Sequence, residues 1–409
     1  MPLLAWKILI EDRGRFIVAL AGILFAVALI SIQVGVFNGF LRSAGLLIEE
    51  STADIWVTAQ EIRYVELTLP LPHADIDKAL AVDGVERAEP MVVRTSVFKG
   101  PEHRIELIRV VGFDEKGTLF RPGPVSDADL RRLRGADTFL VDRADLAGLN
   151  LHGIGDTGVI GPSTVRLVAL TQGTQPIVSA DFIYTSMENA RTLTQASPAA
   201  IATSTIGALA MSLAFSGAAP VNRSSPAVSP AADDISYILI KARPGTDIAS
   251  LQHRLEAALP GTRAYTREQM ADITRSYWQQ RTGIGFILGL GALVGVIVGV
   301  VVVGQILYTS VSDNLKEYGT MKAMGASDTS LYQVISIQAL LMCVIGFVPG
   351  IGLALWVGSY AMAHRGILIL LTPQTIALVF AVTLAMCVAA AAFAMQRVTR
   401  VDPFVVFKA

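Results

Sequence analysis

Four stretches of the chain carry almost nothing but apolar side chains: residues 16–37, 283–309, 331–363 and 375–395. Each is long enough for a membrane-crossing helix, which needs about 20 apolar residues. None of them contains Asp, Glu, Lys or Arg. The first follows Lys7, Arg13 and Arg15, as a secretory leader would. It is longer than a usual leader core and no clear small-x-small cleavage pattern follows, so it reads as an uncleaved anchor. A fifth uncharged stretch, residues 199–220, is built from small residues between Pro198 and Pro220. Ser224, Ser225, Pro226 and Pro230 follow it, and the whole reads as a flexible insertion over about residues 195–232 rather than a span.

Residues 38–282 have a different pattern. Residues 38–50 and 266–281 abut the first two spans with helical character and predict stalk helices. Between them the periodicity is mixed. Strands are expected at residues 54–58, 85–98 and 104–113, with a helix at 74–81 broken by Asp83-Gly84. A later strand–helix–strand portion is expected at residues 237–241, 247–258 and 263–265. A middle subdomain of about residues 114–230 carries strands at 138–141 and 165–170. The expected fold is an α-helical membrane protein with four transmembrane helices and a large α/β extracytoplasmic domain between the first two.

The short segment 310–330 between the second and third spans is charged and amphipathic. Leu315, Tyr318, Met321 and Met324 recur every three residues, which keeps them along one helical side. Lys316, Glu317 and Lys322 form the remainder, and Gly325 supplies a helix stop. Such a stub, held between two spans, offers a place for another protein to push or pull.

Charge fixes an orientation. Lys7, Arg13 and Arg15 precede the first span, Lys316 and Lys322 sit in the stub, and Arg397, Arg400 and Lys408 lie in the tail. The loop between spans three and four has only His364 and Arg365. With four spans, all three basic groups fall on the cytoplasmic side, so the N-terminus 1–15, the stub and the tail 396–409 are expected there. This predicts a multi-pass protein of the inner membrane. The whole chain has 409 residues, is 52% hydrophobic and only 16% charged, and has a net charge of −1. No global basic field is present to attract nucleic acid. Cys343 and Cys387, the only two cysteines, both lie in apolar runs and exclude a disulfide framework.

Candidate chemistry is sparse. Gly153-Ile154-Gly155-Asp156-Thr157-Gly158 matches G-x-G-x-x-G, yet strand-like residues follow it, so it reads as a turn and not a dinucleotide site. No G-x-x-x-x-G-K-[ST] occurs, nor a G-x-S-x-G elbow. His73, His103, His152, His253 and His364 show no metal-ligand spacing, so no metal site is expected. No catalytic residue is assigned and no enzyme activity is expected. Charge-free spans argue against a carrier driven by protons or sodium, which needs buried ionisable groups. The second span holds Gly285, Gly289, Gly291, Gly295 and Gly299, whose G-x-x-x-G spacings predict a helix-packing face. Pro349, between Gly346 and Gly350, predicts a hinge in the third. Gln33, Gln305 and Gln338 are expected to face other helices.

One span, a large α/β outer domain, three further spans and a charged stub together resemble the MacB/FtsX-like family of ABC-transporter permeases. The stub carries the most specific part. Lys316, Glu317, Gly319, Met321, Lys322, Ala323, Gly325 and Ala326 fit the family's pattern, while Asn314 replaces its first basic residue. The tail 397–408, RVTRVDPFVVFK, is similar to the family's basic-plus-proline ending, and residues 181–193, DFIYTSMENARTL, to a recurring outer segment. The N-terminal PLLAWKILIEDRGRFIVALAGILFA looks most like the DevC-like branch. The resemblance implies a MacB-like periplasmic core, a homodimer, and separate cytoplasmic ATPase subunits that bind the ATP and Mg this chain does not. It also implies a periplasmic membrane-fusion adaptor, with an outer-membrane channel beyond it. The eight matching stub residues would be the ATPase-coupling site.

Three function classes remain at this level. The leading one is an exporter permease that passes ATP-driven motion to its outer domain and moves an amphiphilic or lipid-like substrate. An FtsX-like regulator of a cell-wall hydrolase is the alternative. A sensory receptor would need a signalling domain, and the cytoplasmic segments are too short to hold one.

Overall fold

The computed structural model describes residues 13–67, 69–102, 104–176, 179–194, 233–313, 328–365 and 367–399. The elements are α1 (Arg13–Glu49), β1 (Ile55–Ala59), α2 (Asp75–Leu80), β2 (Val85–Lys99), β3 (Ile105–Phe113), α3 (Asp127–Arg132) and β4 (Thr138–Asp142). After a 3₁₀ turn at Arg143–Asp145 come β5 (Thr157–Ile160), β6 (Ser163–Thr171), β7 (Asp181–Ser186), α4 (Met187–Leu193) and β8 (Tyr237–Ala242). Then follow α5 (Ile248–Ala258), β9 (Thr262–Thr266), α6 (Arg267–Thr282), α7 (Ile284–Asp313), α8 (Asp328–Arg365) and α9 (Pro373–Thr399). The chain divides into two compact units, one of Met1–Phe40 with Thr282–Ala409 and one of Leu41–Arg281. The expected insertion at 195–232 lies outside the described residues.

In the first unit, four helices have apolar stretches of 34, 26, 31 and 20 residues, each enough to cross a bilayer. They are helical because lipid offers no partner for a free backbone amide or carbonyl, so every one must be satisfied within its own segment. Ala19, Ile23, Ala26, Val27 and Ile30 of α1 share one buried cluster with Val303 and Leu307 of α7, Ile335 and Met342 of α8, and Met386 and Ala390 of α9. The segment between α8 and α9 returns onto α1. Leu370 donates its amide to the Gly35 carbonyl at 2.9 Å. Asn38 Nδ2 donates to Thr375 Oγ1 at 2.9 Å.

In the second unit all nine strands join one sheet, ordered β3-β7-β4-β6-β5-β2-β8-β1-β9, with β3 also paired to β2. That extra pairing closes β2, β3, β7, β4, β6 and β5 into a ring. The 15-residue strand β2 makes this possible. Its first part pairs with β8 (Pro90 opposite Ile238), and its later part with β3 and β5. The middle segment expected as a separate subdomain is therefore completed by β2 and β3, which precede it in the chain. Closing the ring removes free edges that the four strands of the middle segment would otherwise expose.

Among the described residues, one open edge remains, at β9. Glu256 Oε1 of α5 accepts the Ala264 amide at 3.1 Å, and Gln252 Nε2 donates to the Ala264 carbonyl at 2.7 Å. These side chains occupy backbone groups that another strand would otherwise take. Two apolar clusters fill the sides of the sheet. One holds Ile55, Val57, Phe98, Ile108 and Phe139 with Leu251 and Leu255 of α5. The other holds Trp56, Met91, Phe113 and Tyr237 with Leu47 and Ile48 of α1 and Met270 and Ala271 of α6.

Candidate functional site

Helix α1 is the element around which the helical unit is built, because small residues on its neighbours let them approach it closely. A Cβ placed on Gly291 would lie 2.6 Å from Gln33 Nε2, and one on Gly295 3.2 Å from Ile30 Cγ1. Gly285 meets Phe37 at 3.3 Å, and Gly299 meets both Ala26 at 3.1 Å and the Met386 sulfur. Four of the five glycines singled out in the second span thus sit at close approaches, all four against α1, whereas Gly289 has open space around it. With no side chain between them, the two backbones gain dispersion contacts along their length.

From α8, Gly346 and Gly350 meet α1 in the same way. Their added Cβ atoms would lie 2.7 Å from Ile23 Cγ2 and 2.8 Å from Val27 Cβ. Pro349 between them lies inside an unbroken helix. Because Pro349 has no amide hydrogen, it cannot make the usual helical bond to residue 345, so the helix is locally softened where it touches α1.

Polar residues in the spans divide. Gln33 is half-buried against Gly291, and Gln338 is fully buried. Gln305, expected to face another helix, is exposed in the single chain. It lies on α7 between residues that point outward, such as Val301.

Lys316, Glu317, Gly319, Met321, Lys322, Ala323, Gly325 and Ala326, expected to couple to an ATPase, lie outside the described residues. The two helices that flank them, α7 and α8, are described up to Asp313 and from Asp328.

In the second unit the end of α1 is locked to the sheet. Gly45 leaves room for the Arg275 guanidinium of α6, whose Nε would be 3.2 Å from a Cβ there. Arg275 pairs with both Glu49 and Asp272. One residue on, Glu50 Oε2 accepts the Gly123 amide at 2.8 Å. Burial raises the Glu50 carboxyl above its ordinary value, and the Gly123 bond partly offsets this. On α6, Thr274 Oγ1 accepts the Val65 amide at 3.3 Å, and Tyr277 stacks on Tyr64 with centroids 4.2 Å apart. Burial, then the charge of Glu66, pushes the Tyr64 hydroxyl up to about 12. Glu66 is itself held by Arg109 of β3 at 2.9 Å.

The two stalk helices differ where they leave this unit. Helix α1 continues without interruption, whereas α6 stops and α7 begins across Gly283, whose φ is +59°. That left-handed conformation suits glycine and ends a helix.

His73, His152 and His253 are exposed, and among the described residues no group of three or more His, Cys, Asp or Glu side chains is arranged to hold a metal ion. Gly155 takes φ +105° in a turn that leads into β5, not a helix.

Comparison with known proteins gives two family matches that together run along most of the chain. Residues 16–258 match the model of the MacB-like periplasmic core domain, and residues 289–403 that of the FtsX-like permease C-terminal region. A probable export ATP-binding/permease protein MacB of Pseudomonas entomophila is 26% identical over 126 residues, covering 31% of this chain and 19% of that protein. A probable syringafactin export ATP-binding/permease protein of Pseudomonas syringae is 27% identical over 127 residues, covering 30% of this chain and 19% of the relative. The chain therefore spans about a fifth of the length of these curated relatives in the aligned region. Among solved structures, the periplasmic region of MacB from Actinobacillus actinomycetemcomitans aligns with a TM-score of 0.33 at 9% identity, covering 54% of this chain and 92% of that one.

Proposed function

As a membrane protein that belongs to the family of MacB-like, FtsX-like ABC permeases, the chain is, we propose, the motion-transmitting subunit of an exporter. The observation that carries this reading is α1. It is gripped by close glycine contacts from α7 and α8, runs unbroken to Glu49, and ends in a buried cluster shared with seven strands of the outer unit. A helix so packed moves what it is packed against, because close-packed interiors transmit displacement.

In this mechanism a separate ATPase binds ATP and Mg and docks at residues 314–327, with Lys316 and Glu317 making the first contacts. The stub and both termini lie on the cytoplasmic side and the outer unit in the periplasm. Two copies of the chain work together with a membrane-fusion adaptor and an outer-membrane channel, and the cargo is an amphiphile. The export role in the names of the MacB relatives supports transport over regulation of a hydrolase.

The test is co-reconstitution of the full chain with its cognate ATPase. Lys316→Ala with Glu317→Ala should leave thermal stability unchanged and abolish both co-purification and permease-dependent ATP hydrolysis. Unchanged ATPase coupling in that double variant would remove the stub from the mechanism.

A further inference from the structure

Neither cysteine of the chain belongs to the outer unit. Cys343 lies on α8 and Cys387 on α9, and they are the only two. Each is fully buried in the same apolar cluster of the helical unit. A buried free cysteine usually serves as a small hydrophobe, a role that gives two of them no reason to meet. Here they do meet. The two thiols are hydrogen-bonded to one another.

An independent contact sets the same two helix faces together. Phe347 of α8 packs edge-on against Phe380 of α9, with ring centroids 5.0 Å apart. Cys343 lies one turn before Phe347, and Cys387 lies two turns after Phe380. Each cysteine therefore shares a helix face with its phenylalanine. The two contacts also step in opposite directions along the chain, as an antiparallel helix pair requires. Between thiols already in hydrogen-bonding reach, a small approach brings the sulfurs to the disulfide length of about 2.05 Å.

Both cysteines lie within apolar spans, Tyr332–Met362 and Pro373–Ala392, out of reach of reagents dissolved in water. Lipid is nearer. The next residue along each helix, Val344 and Val388, is 45% and 57% exposed on the surface that lipid covers. The oxidant suited to that setting is an apolar one carried in the bilayer. We propose that Cys343 and Cys387 form a redox latch that is closed by a membrane quinone. Both S–H bonds break, one S–S bond forms, and the two electrons and two protons reduce the quinone to a quinol. The bond joins α8 to α9 between Asp328, where α8 begins, and Pro349. Closed, the latch holds the half of α8 that precedes Pro349 and resists movement delivered at residues 314–327. The bond follows from the packing alone, whereas its effect on coupling rests on the exporter reading.

The full chain in lipid nanodiscs, first reduced with dithiothreitol, is incubated with duroquinone or with duroquinol. It is then unfolded in SDS with a maleimide and weighed by intact mass spectrometry. Two labels are expected after duroquinol. After duroquinone no label is expected, with a mass lower by two hydrogens and a monomer on a non-reducing gel, and dithiothreitol should restore both labels. Two labels after duroquinone, or a covalent dimer in place of the monomer, would overturn the latch. Permease-dependent ATP hydrolysis with the cognate ATPase gives the second readout. It should fall several-fold in the oxidised chain and recover with dithiothreitol, while Cys387→Ser, which cannot close the bond, keeps its rate in duroquinone. An unchanged rate in the fully oxidised chain would overturn the restraint on α8. Absence of coupling already in the reduced chain would mark failure of the exporter reading, and the maleimide result would still decide the bond.

Discussion

The carbonyl oxygen of Leu368 occupies the position that a Cβ on Gly39 would take. Gly39 therefore admits the segment between α8 and α9 onto α1, where the Leu370–Gly35 bond and the Asn38–Thr375 bond hold it. Gly39→Ala should push that backbone away. A backbone atom cannot swing aside as a side chain can, so a cost of about 1–3 kcal/mol is expected. Thermal unfolding of the variant in detergent measures it, and protease access to residues 367–372 reports the displaced segment.

The glycines of α7 and α8 should not behave alike. Gly350 faces Val27 Cβ and the Leu24 carbonyl, which cannot yield, while Gly289 faces nothing within 4 Å. Gly350→Ala should destabilise by about 1–3 kcal/mol. Gly289→Ala should be neutral or stabilise by up to about 1 kcal/mol, because alanine loses less backbone freedom in a helix. A series of melts on Gly289, Gly291 and Gly350 variants should rank them in that order, with Gly291 between because flexible Gln33 can turn away. An inverted order would mean that α1 is not gripped as described.

Removing the cover of β9 should change solubility more than stability. Gln252→Ala with Glu256→Ala frees both backbone groups of Ala264. The loss of two hydrogen bonds costs roughly 1–3 kcal/mol. Light scattering should reveal concentration-dependent association of the double variant, and a monodisperse sample would show that the edge is shielded by other means.

The outer unit should weaken as pH rises. Burial first, and then the charges of Asp181 and Asp142, push Asp145 from 3.8 up to about 8. Asp181, raised by burial and Glu106 to about 6, acts in the same direction. Between the unfolded and folded values the native state keeps protons that the unfolded chain has released, so stability falls as pH increases. Melting midpoints should drop from about pH 5 to about pH 8. Asp145→Asn should flatten the upper part of that slope and leave the Asp181 part near pH 6. A midpoint rising over the same interval in wild type would contradict the burial of Asp145.

What could be read from the sequence follows a physical division. Long charge-free runs marked the spans because lipid imposes a composition on whole segments. Strand β3 shows in its alternation, while β8, buried along both faces, has none and reads as a short apolar run. Short elements escaped: β5 has only four residues, too few for a period to register. Helices α3 and α4 are too short for a helical period to register, although Ser126 and Ser186 cap them, accepting the Asp129 and Asn189 amides. That Ser-x-x-Asp and Ser-x-x-Asn spacing was the available signal. Closure of the ring rests on the pairings of β3 with β7 and β4 with β6, which join distant residues in ways no local pattern encodes. The same distance hid the meeting of Asp145 with Asp181.

Gly283 gives the two connections out of the outer unit unequal stiffness. Under the proposed function, displacement enters along the single helix α1, and Gly283 is where α7 can tilt. In the proposed mechanism, work therefore flows through the first span. The second span is free to follow its neighbours in the bilayer, as a drive shaft is served by a universal coupling. Replacing that coupling by a second stiff shaft would make the machine fight itself.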